Sequence, residues 1–78
     1  MHTLKVHFNS DYHNTEFIEQ VLIDKQVTAD DKRDLSELLR VNREYLEKEY
    51  IEILRFIVVF LKARGYVVYS NYIDEIYI

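Results

Sequence analysis

A chain of 78 residues with a formal charge of −4 and no cysteine buries only about 60% of its unfolded surface. It has neither a disulfide nor a thiolate metal site to make up the difference, so self-association, most simply a homodimer, is the expected route to stability. The acidic balance argues against a direct nucleic-acid binder, and no apolar run approaches the ~18–20 residues that span a bilayer.

The start, Met1-His2-Thr3-Leu4-Lys5, has no apolar stretch behind it and does not read as a signal peptide, which points to a cytoplasmic protein. Residues 3–8 alternate, with Leu4, Val6 and Phe8 on one side and Thr3, Lys5 and His7 on the other, as in a half-buried strand. Asn9-Ser10-Asp11 supplies turn chemistry. Asn14 or Thr15 is then placed to cap a short helix in which Phe17, Ile18, Val21 and Leu22 share a face. A strand over residues 17–23 competes with it, because the same side chains suit either state; the spacing is read as the helix.

Thr28 followed by Asp30 and Asp31 resembles a helix start with acids in its first turn. From there to Arg64 the pattern is helical, with i,i+4 pairs Arg40/Glu44, Arg43/Glu47, Glu44/Lys48 and Lys48/Glu52. Unbroken, such a helix is about 50 Å long, roughly twice the diameter of so small a domain. Its apolar face (Leu35, Leu39, Leu46, Ile53, Phe60) also carries Asn42 and Glu49. A bend or short loop over residues 41–44 is therefore expected, with Glu49 left partly buried on the seam and its carboxyl raised or paired. Residues 51–61 are apolar around most of the circumference and are expected to form a central helix or a dimer interface.

Gly65, the only glycine, follows the basic Lys62 and Arg64 and marks the helix stop. The tail from Tyr66 onward reads as strand, interrupted at Ser70-Asn71 or Asp74-Glu75. The expected fold is thus α+β, one domain over residues 1–78. It comprises an N-terminal strand, a short helix, a long bent or broken amphipathic helix, and a C-terminal strand or hairpin that pairs with the N-terminal strand.

No constellation carries catalytic chemistry. His2, His7 and His13, with Asp11, lack a ligand spacing, so no metal is expected. Glu44, Glu47, Glu49 and Glu52 are interleaved with Arg40, Arg43, Lys48 and Arg55 as on a salt-bridged face. The serines Ser10, Ser36 and Ser70 sit in no nucleophile motif, and there is no glycine-rich loop. Neither enzyme activity nor a cofactor is expected.

Four of the seven tyrosines, Tyr66, Tyr69, Tyr72 and Tyr77, fall in the last thirteen residues. Tyrosine packs well across sheets, and it also offers large contact area at low entropy cost, as interfaces use it. The sequence therefore points to a non-enzymatic protein-protein interaction or regulatory module, homodimeric and holding a protein partner through these tyrosines. An alternative is a small acidic inhibitor, in the style of phage and mobile-element inhibitors. It would present Asp30, Asp31, Asp34, Glu37, Glu44 and Glu47 to a nucleic-acid-binding protein or nuclease.

Overall fold

The computed structural model describes residues 2–69. The part of the expected C-terminal strand beyond Tyr69, with Tyr72 and Tyr77, lies outside the described residues. The fold is α+β, in the order β1 (His2–Ser10), β2 (Thr15–Ile23), α1 (Ala29–Val41), α2 (Arg43–Lys48) and α3 (Glu52–Ala63).

The antiparallel partner of the N-terminal strand is β2, with His2 opposite Ile23 and Ser10 opposite Thr15. The short helix expected after a cap at Asn14 or Thr15, with Phe17, Ile18, Val21 and Leu22 on one face, is therefore corrected to the strand Thr15–Ile23. Its physical basis is period-two burial. Phe17, Val21 and Ile23 turn to the same face as Leu4, Val6 and Phe8, while Glu16, Ile18 and Gln20 turn away. The pairing also supplies β1 with backbone partners that a helix withholds. A turn over residues 11–14 joins the strands. Asn14 takes a left-handed φ of 51°, which asparagine tolerates, and the Ser10 hydroxyl accepts from the His13 N–H at 3.2 Å.

The helical stretch breaks twice. Thr28 caps α1, its hydroxyl accepting from the Asp31 N–H at 3.1 Å. At Asn42 the φ/ψ of −104°/14° ends α1, and the side-chain amide donates to the Leu38 carbonyl at 2.8 Å. The break expected over residues 41–44 thus falls at the polar residue that would have faced the core. The second break, after Lys48, lifts Glu49 off the seam and exposes it, which corrects the expected partial burial. The two breaks account for the loss of two of the four expected ion pairs, while Glu44/Lys48, inside α2, stays unpaired among the described residues. Arg43–Glu47, inside α2, closes at 3.1 Å, whereas Arg40 turns back to Glu37 and Glu52 pairs with Arg55 at 3.4 Å, because Arg40/Glu44 and Lys48/Glu52 each straddle a break.

The core is built from the inner face of the hairpin (Leu4, Phe8, Val21, Ile23) and from helix positions Leu35, Leu39, Leu46, Ile53, Leu54, Ile57 and Leu61. Each such side chain contributes about 1.5–3 kcal/mol by leaving water. Leu46 is the one buried residue of the six-residue α2, a helix too short to persist unaided. On α3 the apolar belt is only partly covered, and Val59 is 67% exposed.

Gly65 closes α3 in a Schellman arrangement, with φ of 88°. Its N–H donates to the Lys62 carbonyl at 3.2 Å, and the Tyr66 N–H donates to the Leu61 carbonyl at 3.0 Å. The turn sends residues 66–69 to the end of β2, where Val68 bridges Ile23 antiparallel. Asp24 holds the same junction: its N–H donates to the Val67 carbonyl at 3.2 Å and its carboxylate accepts from the Val67 N–H at 2.9 Å.

Candidate docking groove along the open strand edge

Because residues 66–69 meet the sheet at β2, the other long edge of β1 has no strand partner among the described residues. In an antiparallel pair alternate residues turn their N–H and C=O groups away from the partner, so this edge offers a row of backbone donors and acceptors that no described strand takes up. α1 stands across from it. Between them lies a hollow of about 550 Å³, continuous through Val6, His7, Ser36 and Leu39 with a second of about 230 Å³ that reaches Arg43.

The floor of this groove is apolar: Leu4, Val6, Val27, Leu35 and Leu39. Its rim is basic. Lys5 and His7 lie on the strand side, and Lys32, Arg40 and Arg43 on the helix side. Among the described residues no aspartate or glutamate lines either hollow. Arg40 is held by Glu37 and Arg43 by Glu47, and His7 Nδ1 is 3.2 Å from Glu16 Oε1. Among the described residues no carboxylate pairs with Lys5 or Lys32.

The acidic residues singled out from the sequence are mostly neutralised within the chain. Asp30 pairs with Arg33 at 3.3 Å. Arg64 reaches both Asp31 and Asp34 at 3.0 Å. Glu47, besides Arg43, accepts from the Asp11 N–H at 3.2 Å. The Tyr66 hydroxyl beside Asp31, with Thr28 and Arg64 adding to it, holds that carboxyl below its ordinary range. Arg40 does the same for Glu37. Glu44 is exposed on α2.

Of the tyrosines, Tyr66 is only 5% exposed. Its hydroxyl donates to Asp31 Oδ2 at 2.6 Å and accepts from the Thr28 N–H at 3.2 Å, tying the start of α1 to the end of α3. It belongs to the core and not to a binding surface. Tyr69 is 39% exposed, and Tyr72 and Tyr77 lie outside the described residues. A different aromatic group went unread in the sequence. Tyr50 stacks on Phe17 at 4.9 Å and 4°, and His13 meets Tyr12, Phe17 and Tyr50 edge-on. No sequence spacing signals it, because the hairpin turn and the residues between α2 and α3 meet only in the folded chain.

Among the described residues no three His, Asp or Glu side chains converge to hold a metal ion, and no helix is long and apolar enough to cross a membrane. Comparison with protein-family models, curated proteins and solved structures finds no match.

Proposed function

We propose that this chain is a non-enzymatic protein-interaction module that holds a protein partner in the groove between β1 and α1. The observation that carries the reading is the edge of β1 that no described residue pairs with, facing an apolar floor, since an extended segment laid there gains backbone hydrogen bonds and side-chain burial together. The alternative, an acidic inhibitor, is weakened by the ion pairs that occupy Asp30, Asp31, Asp34, Glu37 and Glu47.

Self-association belongs to the same proposal, because Val59, Val67 and Tyr69 leave apolar surface in water. A cytoplasmic setting suits a chain that has no cysteine to oxidise. The test is site-specific photo-crosslinking in the producing cell, with a benzophenone side chain at Ser36 on the groove wall and, as control, at Val59 on α3. A discrete adduct from position 36 that is absent from position 59 is expected. Equal adducts from both sites, or none from position 36, would sink the groove as the docking site. Light scattering of the full chain addresses the dimer, which a strict monomer at high concentration would exclude.

A further inference from the structure

We infer that the groove takes an acidic, extended peptide segment that adds to β1 as a further strand, with apolar and acidic residues alternating along it. The inference rests on the docking reading above and names the chemistry of the occupant. Three features converge on it. The edge of β1 runs nine residues, His2–Ser10, about 30 Å at strand rise, so the occupant is a strand of similar length.

The pleat then separates two environments. Side chains of the added strand on the inner face lie level with Leu4 and Val6 and point at the floor formed by Leu35 and Leu39. Those on the outer face lie beside Thr3, Lys5 and His7, where an acidic side chain finds opposite charge at Lys5. Lys32 across the groove adds a second cation that no described carboxylate neutralises.

The charge pattern argues against the two nearest competitors. A second copy of β1 pairing antiparallel edge to edge in the register that centres on Lys5 sets that lysine against its own copy, a like-charge cross-strand contact that disfavours the pairing. A nucleic acid would answer the cations but would leave the apolar floor and the row of backbone groups unused, on a chain of net charge −4.

The experiment titrates the isotope-labelled full chain with three capped nonapeptides that alternate valine with glutamate, glutamine or lysine, reading amide shifts and affinity at two salt concentrations. The glutamate peptide is expected to bind at least about tenfold tighter than the glutamine one at low salt, to lose that advantage as salt rises, and to move β1 and α1 resonances. In the Lys5→Glu/Lys32→Glu protein, both sites being exposed, the order of the glutamate and lysine peptides should invert. N-methylation of the peptide amides that face β1 should abolish binding.

Equal binding of the glutamate and glutamine peptides overturns the charge assignment while leaving the docking reading standing. Insensitivity to N-methylation, or tighter binding of a single-stranded oligonucleotide of the same length, overturns strand addition. If no peptide moves β1, the groove itself is not the docking site and both readings fall.

Discussion

Gly65 permits a prediction in which conformation and space are separated. Its φ is 88°, yet a Cβ built there meets nothing within 4 Å. The site therefore refuses side chains for their backbone preference and not for their bulk. An L-residue held in left-handed space costs about 1–2 kcal/mol. Against a total stability of about 4–12 kcal/mol for a chain of this length, that is a substantial fraction, and it corresponds to a loss of about 4–16 °C in Tm. Gly65→Ala and Gly65→Leu should cost the same within about 0.5 kcal/mol, and Gly65→Asn less than either, since asparagine visits this region more readily. Urea unfolding followed by circular dichroism, with a thermal melt as a second reading, measures the series. A cost that climbs with side-chain volume from alanine to leucine, or a neutral alanine, would refute the reasoning.

Leu46→Ala should destabilise by about 2–5 kcal/mol and release the amides of α2 to fast hydrogen exchange, whereas truncating the neighbouring exposed Val41 to alanine should change stability by less than about 0.5 kcal/mol; similar effects of the two would contradict the placement of Leu46 as the anchor of α2. Glu19 turns to the inner face opposite Val6, and burial pushes its carboxyl up. A raised carboxyl binds its proton more tightly in the folded state, so its burden on stability appears as pH rises past the ordinary glutamate range near 4.3. Glu19→Gln should accordingly stabilise the protein at pH 7 more than at pH 4, a difference that urea titrations at the two pH values measure. The lowered Asp31 carboxyl has the opposite sign: its contribution is complete above the ordinary aspartate range near 3.9 and is lost as pH falls below it. The destabilisation caused by Tyr66→Phe should therefore be smaller at pH 3 than at pH 7, and an equal effect at both would separate Tyr66 from the titration of Asp31.

What was legible in the sequence was what local chemistry decides. The alternation at Leu4, Val6 and Phe8, the cap at Thr28, the interruption at Asn42 and the stop at Gly65 are each written in a few adjacent residues, and each stands where the spacing placed it. β2 was misread because Phe17, Ile18, Val21 and Leu22 satisfy a helical face as well as a strand, and only pairing with β1 decides between them. Tyr66 was misplaced for a related reason: tyrosine in a tail looks like an interface until Asp31 and Thr28, more than thirty residues away, are found at its hydroxyl. The groove had no sequence signature at all. Its walls come from segments some thirty residues apart, and its defining property is a strand edge that has no partner among the described residues.

The bridge between Ile23 and Val68 has a consequence for how the chain reaches its fold. The hairpin and the successive helices are made by residues close in sequence, and the described part of the sheet is joined to the end of α3 by contacts around this one bridge, across about 45 residues of chain. Closing a loop of that length costs an entropy that grows only with the logarithm of its length, about 3 kcal/mol before the constant term. As a mixed α+β topology the chain should fold at a rate between those of helical bundles and of all-β barrels, which stopped-flow and temperature-jump measurements together would reach.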